Sequence, residues 1–319
     1  MKIAIIGGAS TIGTTVAYTL ASTDPSAEVY LVDKAEKVAW AHAKDIYHAL
    51  YHAANAPVLS HIDSFGTIEG TGTDELERIS PDVVIITAAA TKPEDKEVDE
   101  SAREIQLQAN IPIMEDIASQ LATIDPVPVI MVTNPIDRLT YYLWQLVGWS
   151  RHYFIGYSLS ETARAADALA QNVDAHPCEV YCPIMGEHGR GIVPILSKAT
   201  VDGDAIEVNP SLREEVIAYT RQIPFDIAAH RGVAETSRWV TSAGVTRLVR
   251  ELYSSDSSNP FCLSTPLLGE YGIDRGCLSV PVTLSPEGVR DILEWDLLPE
   301  EIDAVQQAHE KIWEDLQTV

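Results

Sequence analysis

Residues 186–189, GEHG, place a histidine between a glutamate and a glycine inside an otherwise apolar stretch of chain. Histidine titrates near neutral pH and is the side chain most often used to exchange a proton with a substrate. A single histidine is more often a structural residue, so His188 needs partners elsewhere in the sequence. The segment SETAR supplies a carboxylate, Glu161, and an arginine, Arg164. A proton-exchanging base, a carboxylate that orients it and an arginine that binds an anion are together suited to chemistry on a carboxylic acid.

The elements that must position these side chains follow a regular order in the first half of the chain. The run KIAIIGG is a continuous apolar strand ended by glycine, and a helical pattern and a second strand, EVYLVD, follow it. A long alanine-rich helix, the apolar strand DVVIITAAA, another helix and the strand PVPVIMV continue the alternation. Repeated β-α-β units predict a parallel sheet with helices on both faces.

The pattern changes near residue 150, where longer helices begin to bracket short strands. The last part holds the strand-like run GCLSVPVTLS and a terminal helix. We therefore predict an α/β protein with a doubly wound parallel sheet in residues 1–148 and an α+β domain in residues 149–319. No repeat or low-complexity linker separates the halves, so we expect them to pack together.

The turn after the first strand carries a nucleotide-binding signal. Gly7 permits a tight turn, Gly13 permits close packing of helix and strand, and Ser10 lies between them. The backbone N–H groups that open the helix can receive a pyrophosphate. Asp33 ends the second strand 20 residues after Gly13, where a carboxylate binds ribose hydroxyls and repels the extra phosphate of NADP. The pattern favours NAD, although Lys34 can tolerate that phosphate, and a doubly wound domain without a cofactor is the alternative.

The charge of the chain excludes some partners. Forty-seven acidic and 22 basic residues, eight of them lysine, give a net charge of −25, spread along the whole chain. Such a field repels nucleic acid and anionic membranes. A distributed acidic surface with scarce lysine suits a protein kept soluble in concentrated salt, where self-repulsion is screened. We therefore predict a protein from a salt-accumulating halophile.

The cysteines and apolar runs indicate the compartment. The apolar runs are far shorter than a membrane span, and no charged and apolar leader precedes the first strand. The cysteines have neither redox nor zinc-site spacing, so we expect free thiols in a reducing cytoplasm. They are Cys178, Cys182, Cys262 and Cys277.

Several short motifs, in order and spacing, resemble the malate/lactate dehydrogenase family. They are IIGGASTIG, ESAREIQLQAN at 100–110, TNPID at 133–137, SETAR, GEHG and LSVPVTLS, and they extend over essentially the whole chain. The resemblance implies a Rossmann NAD-binding domain and a catalytic domain. It also implies hydride transfer between NAD and a small 2-hydroxy acid or 2-oxo acid, in a homodimer or homotetramer.

The resemblance also implies roles for individual residues. His188 is the general acid/base, Glu161 its carboxylate partner, and Arg164 the residue that binds the substrate carboxylate. Arg103 is the loop arginine that polarises the substrate carbonyl. The remaining substrate residues are Asn134 and, on a looser alignment, Ser237. The cofactor-binding residues are Gly7, Ser10, Ile12, Gly13, Asp33, Thr87, Ala88, Ala89, Asn110, Val132 and Asn134.

Four features depart from the family pattern. Glu161 stands where the family has aspartate, and Ser10 replaces the middle glycine of the nucleotide loop, where we expect it to crowd the pyrophosphate slightly. The loop at residues 91–102 is lengthened and acidic. It lacks the second arginine with which malate dehydrogenases pair the second carboxylate of malate, and offers only Lys92 and Lys96. An unpaired buried carboxylate is costly, so malate, lactate and a bulkier 2-hydroxy acid stay open as substrates.

Two alternatives remain beside this interpretation. One is an NAD-binding paralogue with altered catalysis and a regulatory or structural role. Another is an NAD-assisted glycosidase, for which a metal-binding Cys/His set is lacking in the sequence. The pair His48 and His52, four residues apart on the predicted alanine-rich helix, can bind a metal in principle, but we assign it to helix packing and predict no metal.

Overall fold

The structure is a computed structural model that describes residues 1–54, 65–91, 100–232, 237–254 and 260–318, without side chains at 53–54 and 100–104. In these ranges the strands are β1 Lys2–Ile6, β2 Glu28–Val32, β3 Thr67–Thr71, β4 Val83–Ile86, β5 Val129–Met131, β6 Phe154–Gly156, β7 Val180–Tyr181, β8 Ile184–Gly186, β9 Ile192–Pro194, β10 Thr200–Val201, β11 Asp204–Ala205, β12 Phe261–Pro266, β13 Cys277–Ser285 and β14 Gly288–Ile292. The α-helices are α1 Thr11–Thr23, α2 Glu36–Ala54, α3 Leu76–Ile79, α4 Glu100–Leu121, α5 Ile136–Val147, α6 Leu159–Val173, α7 Pro210–Arg231, α8 Arg238–Leu252 and α9 Pro299–Leu316.

Six strands of the first half form a parallel sheet in the order β3-β2-β1-β4-β5-β6. The strand KIAII is buried at all but its first residue, and VVII is buried throughout, as expected of strands covered on both faces. The order of strands reverses between β1 and β4. A crevice therefore opens beyond the carboxyl ends of these two strands, where open α/β sheets bind ligands. The predicted α/β class and parallel sheet are confirmed.

The sixth parallel strand, Phe154–Gly156, lies beyond the boundary that we predicted at residue 148. It pairs with β5 on one side and, through Gly156 and Ser264, with the antiparallel strand β12 on the other. The sheet therefore continues from one half of the chain into the other. The division at 148/149 stays a prediction, and the pairing of β6 favours a junction after residue 156.

The second half extends this sheet with antiparallel strands. β12, β13, β8 and β9 follow β6 in that order, and β14 pairs with β13. A smaller sheet contains β11, β10 and β7. The sequence indicated β13 and α9 correctly, but it did not indicate β12, whose six residues are all buried. The mixed α and β content of this half agrees with the prediction.

One hydrophobic core runs through both halves. Ile5 and Ile86 of the parallel sheet belong to the same buried cluster as Leu263 and Val280 of the antiparallel strands. A second, smaller cluster lies between α6, β8, β9 and α7. The two halves therefore pack against each other without a linker, as expected. No helix within the described residues is both long and apolar enough to span a membrane.

Candidate active site

The glycine turn after β1 lies directly against the segment that follows β4. Gly7 has a φ of +83°, and a Cβ atom there would lie 2.3 Å from the backbone nitrogen of Ala88. Gly13 is equally restricted, because its Cβ would lie 2.7 Å from the carbonyl oxygen of Gly7. Only glycine permits this close approach, so the two loops form a narrow cradle at the N-terminus of α1.

Ser10 is the N-cap of helix α1. Its hydroxyl accepts a hydrogen bond from the backbone N–H of Gly13 at 3.0 Å and donates one to the hydroxyl of Thr87 at 3.2 Å. A serine in this position satisfies one of the unpaired N–H groups of the first turn. The side chain of Ser10 is therefore hydrogen-bonded within the loop and to the segment after β4, and its effect on a pyrophosphate stays a prediction.

Asp33 stands at the carboxyl end of β2, as the sequence predicted, and fixes the neighbouring backbone. One carboxylate oxygen accepts a hydrogen bond from the N–H of Ala9 at 3.0 Å, and the other accepts from the N–H of Ala35 at 2.9 Å. Each oxygen keeps a further lone pair for a ribose hydroxyl. The carboxylate therefore ties the glycine turn to β2 and remains able to bind a sugar.

A groove of about 420 Å³ runs beyond the carboxyl ends of these strands. It is lined by residues of the glycine turn, the end of β2, the segment after β4 and helix α4, among them Gly7, Ser10, Asp33, Thr87, Ala88 and Ala89. A cradle that any Cβ at Gly7 would fill, a helix N-terminus and a sugar-binding carboxylate fit an adenine dinucleotide. The residues present are thus compatible with bound NAD.

A second cavity, of about 140 Å³, adjoins the groove, because Thr87 and Ala89 line both. It contains most of the predicted catalytic and nicotinamide-side residues, namely Ile12, Thr87, Ala89, Asn110, Val132, Asn134, Arg164 and His188. Asn110 is buried and links three segments: its amide oxygen accepts from the N–H of Ala90 at 2.8 Å, and its amide nitrogen donates to the carbonyl of Asn134 at 3.0 Å. The predicted site residues with described side chains thus converge, apart from Ser237.

Glu161 is buried and contacts both His188, the predicted general acid/base, and Arg164, the residue predicted to bind the substrate carboxylate. One of its carboxylate oxygens lies 3.0 Å from Nδ1 of His188, and the other accepts a hydrogen bond from Nη1 of Arg164 at 3.1 Å. Glu161 and Arg164 are one turn apart on α6, while His188 follows β8. The carboxylate therefore orients the histidine and the arginine at the same time, and both line the cavity.

Burial and charge oppose each other in this cluster. Burial favours the neutral form of His188, but the carboxylate of Glu161, with a smaller effect of Asp137, raises the pKa of His188 overall. Burial would likewise raise the pKa of Glu161, yet His188 and Arg164 lower it overall. Both shifts favour the charged forms of the pair, an imidazolium at His188 and a carboxylate at Glu161; Nδ1 faces the carboxylate, and Nε2 is the other ring nitrogen.

A buried network of hydrogen bonds and ion pairs positions the segment that contains His188. The backbone N–H of His188 donates to the carboxylate of Asp137 at 2.8 Å, and burial raises the pKa of Asp137. Arg138, only 1% exposed, donates to Glu187 at 2.9 Å and, through Nε, to Asp315 of α9 at 2.7 Å. Glu187 in turn accepts from the N–H of Gly191 at 2.9 Å. Helix α9 is thereby connected to the residue that precedes His188.

Two predicted residues, Arg103 and Ser237, are not among the described residues that line the cavity. Arg103 lies in the first turn of α4, but its side chain lies outside the described residues, as do residues 92–99 of the lengthened loop. Ser237 precedes α8, and the residue of this helix that lines the cavity is Thr241, one turn further on. The looser alignment at Ser237 therefore located the right helix and missed the lining residue.

Further residues complete the cavity wall. Gln106, Tyr157, Ser160 and Thr241 line it without having been predicted. Tyr157 is buried, and its hydroxyl lies 3.0 Å from that of Ser160 and donates to the carbonyl of Val240 at 3.1 Å. Ser160 is the first residue of the SETAR motif and Tyr157 lies three residues before it, so the motif was the available signal. Thr241 required knowledge of how α8 packs.

The metal alternative finds no support in the described residues. Among them, no group of three or more histidine, cysteine, aspartate or glutamate side chains is arranged to hold a metal ion. His48 and His52 both lie on α2.

We expect the buried network around Arg138 to stabilise the folded protein. Replacing Arg138 by methionine removes the buried cation that pairs with Glu187 and with Asp315, and we expect the free energy of unfolding to fall by about 3–5 kcal/mol. The measurement is urea unfolding at fixed salt concentration. Arg290→Met removes an arginine from an exposed pair with Asp291 and should cost less than about 1 kcal/mol. Equal losses in the two variants would contradict the proposed importance of the buried pair.

Comparison with known proteins agrees with the geometry. Residues 1–156 match the family profile described as lactate/malate dehydrogenase, NAD binding domain, and residues 161–319 match the lactate/malate dehydrogenase, alpha/beta C-terminal domain. The malate dehydrogenase of Halobacterium salinarum is 31% identical over 315 residues, which cover 98% of this chain and 97% of that protein. The L-lactate dehydrogenase of a Thermoanaerobacter species is 27% identical over 323 residues, covering 98% and 96%.

A solved structure shows the same fold. The malate dehydrogenase of Aeropyrum pernix superposes with a TM-score of 0.83 at 25% identity, covering 99% of this chain and 98% of that one. The matches extend from the glycine turn to the terminal helix and include both halves of the site. The chain belongs to the lactate/malate dehydrogenase family, whose members are NAD-dependent oxidoreductases.

Proposed function

We propose that the protein reduces a small 2-oxo acid to the 2-hydroxy acid, and catalyses the reverse reaction, at the cavity that contains His188. The contact of Glu161 with both His188 and Arg164 carries this proposal. When bound, NAD accepts or supplies the hydride. The chain supplies the remaining groups: a proton donor and acceptor, an anion-binding guanidinium and the hydrogen-bonded loops that position them.

Each residue has a definite task in this reaction. Arg164 binds the substrate carboxylate through its guanidinium, whose planar donors match two carboxylate oxygens. Nε2 of His188 gives its proton to the substrate oxygen during reduction and takes it back during oxidation. Glu161 keeps the proton-bearing form of His188 stable and directs both side chains toward the cavity. Arg103 is proposed to polarise the substrate carbonyl.

Two observations bear on which side chain the substrate carries. Gln106 and Thr241 offer uncharged polar groups in the cavity, which favours a 2-oxo acid without a second charge. The similarity to malate dehydrogenases at 31% identity instead favours oxaloacetate, whose second carboxylate would need a cation such as Lys92 or Lys96. Oxaloacetate and pyruvate are therefore the two substrates to compare first.

The assembled catalytic set argues against the noncatalytic alternative. A cofactor-binding paralogue has no need of a buried carboxylate that contacts both a histidine and an arginine, and burying that carboxylate costs free energy. We propose that the enzyme works in the cytoplasm of a halophile. Free, buried Cys182, Cys262 and Cys277 support a reducing compartment, and the net charge of −25 supports a salt-rich one.

A substrate panel tests the function. We expect NADH oxidation with pyruvate, oxaloacetate or a larger 2-oxo acid, with activity and stability both rising with added salt. His188→Ala should lower turnover by about 10²–10⁴-fold, because it removes the proton donor, while NADH binding followed by fluorescence persists. Tight NADH binding by the wild-type protein without turnover of any 2-oxo acid would contradict the proposal, and activity that falls with salt would contradict the halophilic assignment.

The pH dependence tests the role of Glu161. Reduction requires protonated His188, whose pKa is raised in the folded protein, so kcat/KM should be constant at lower pH and fall as the pH rises through that pKa. In Glu161→Gln the raising charge is lost and burial lowers the pKa, so the fall should move to lower pH and activity should decrease by about 10²–10⁴-fold.

The control for this experiment is Glu310→Gln, which removes the same charge from an exposed position on α9. It should leave the pH profile where it is in the wild-type enzyme. An unmoved profile in Glu161→Gln, or an equal displacement in both variants, would show that Glu161 does not set the protonation of His188.

We propose that the protein assembles as a homodimer through α2, with a homotetramer as the larger possibility. Trp40, Tyr47 and Tyr51 are 56%, 44% and 53% exposed, and their spacing places them on one face of the helix. A contiguous group of exposed aromatic side chains indicates an interaction surface.

Sedimentation velocity tests this assembly. Trp40→Glu should shift the protein to a smaller species, because the new charge would have to be buried in the contact. Leu268→Glu, at an exposed apolar residue of a turn, should leave the sedimentation coefficient unchanged. A wild-type protein that sediments as a monomer across the salt range would contradict the proposal.

A further inference from the structure

An ion pair lies at the sugar end of the dinucleotide groove. Lys34 directly follows Asp33, and its Nζ lies 2.6 Å from the carboxylate of Asp116 on α4. All three side chains line the groove. The side chains of Lys34 and Asp116 are 70% and 55% exposed, so the pair stands at the open rim. The contact joins the end of β2 to a helix more than 80 positions later in the chain.

The position of this pair bears on the choice between NAD and NADP. In dinucleotide sites the carboxylate at the end of the second strand binds the adenosine ribose, and the extra phosphate of NADP is attached to that ribose. Lys34 is the cation next to that carboxylate and is the residue by which the groove could accept the phosphate. Its ammonium instead contacts Asp116, and the groove wall contains two carboxylates, Asp33 and Asp116.

We propose that Asp116 is a specificity-determining residue that excludes 2′-phosphorylated cofactors by engaging Lys34 and adding its own negative charge to the rim. A dianionic phosphate has to displace Asp116 from Lys34 and then lie between two carboxylates. The inference rests on the NAD dependence of the family and not on the identity of the 2-oxo acid. It assigns to α4 a part in cofactor choice beyond that of Asp33.

The size of the effect follows from the exposure of the pair. Charges at an open rim interact weakly in water, and a single exposed pair contributes about 1 kcal/mol or less. A 2′-phosphate carries nearly two negative charges. Removing the Asp116 charge lessens the repulsion of this phosphate and also frees Lys34 to contact it, so the phosphorylated ligand should bind about tenfold more tightly. Screening reduces the repulsion in salt, so the gain should shrink as the ionic strength rises.

A pair of small probes tests the inference without any 2-oxo acid turnover. Adenosine 2′,5′-bisphosphate and 5′-AMP differ only in the 2′-phosphate, and calorimetry measures their affinities for the full-length protein. The wild-type protein should prefer 5′-AMP. Asp116→Asn should raise the affinity for the bisphosphate by about tenfold relative to 5′-AMP, because Lys34 becomes available to the phosphate.

Two further variants separate this account from a general charge effect. Glu115→Gln removes the same charge from the neighbouring position, which is not among the groove residues, and should leave the preference unchanged. Adding Lys34→Ala to Asp116→Asn should abolish most of the gain. An unchanged preference in Asp116→Asn, an equal gain in Glu115→Gln, or a gain that survives without Lys34 would each overturn the inference.

These binding measurements distinguish a failure of the cofactor inference from a failure of the proposed catalytic function. If the wild-type protein binds 5′-AMP but reduces no 2-oxo acid, the catalytic proposal fails while the cofactor inference is still measured. If the wild-type protein binds the bisphosphate as well as 5′-AMP, the cofactor inference is overturned whatever the enzyme reduces.

Discussion

The site depends on one buried carboxylate that contacts two cations. Glu161 brings one oxygen to His188 and the other to Arg164, and its burial is tolerable only because both partners carry positive charge. The same carboxylate raises the pKa of the histidine and contacts the arginine that we propose to bind the substrate. Where the family has an aspartate, this chain has the longer side chain, and its reach from the first turn of α6 is compatible with both contacts at once. In the proposed reaction, proton transfer and substrate orientation are therefore coupled through a single group.

The rest of the fold keeps Glu161 and His188 close to each other. Glu161 is carried by α6, which follows the last parallel strand, whereas His188 follows a strand of the antiparallel half. The continuous sheet through Gly156 and Ser264 joins these halves into one body. Behind the histidine, Asp137 accepts its backbone N–H, and Arg138 links Glu187 to the terminal helix. The cofactor side is organised separately, by Gly7, Asp33 and Asn110, at the carboxyl ends of the parallel strands.

The sequence allowed much of this arrangement to be predicted, for physical reasons that differ between its parts. Parallel strands are buried on both faces and read as apolar runs, and the glycine turn and Asp33 lie within 26 residues of one another, so the nucleotide half was accessible from local patterns. The contact between Glu161 and His188 was accessible only through the family resemblance, because it joins residues from different elements. Thr241, Gln106 and the link from Arg138 to Asp315 were missed, since they depend on how α8, α4 and α9 pack. Lys34 was noted as a residue that tolerates phosphate, but its partner Asp116 lies on a distant helix.

The most direct measurement of the central claim is the NMR titration of the His188 imidazole in the cofactor-free protein, assigned by comparison with His188→Ala. The account predicts that the pKa of His188 lies above the ordinary histidine value of about 6.5, because the charge of Glu161 outweighs the cost of burial. A pKa at or below that value would show that burial dominates. Glu161 would then not hold the histidine as an imidazolium, and the coupling of proton transfer to substrate binding through one carboxylate would have to be abandoned.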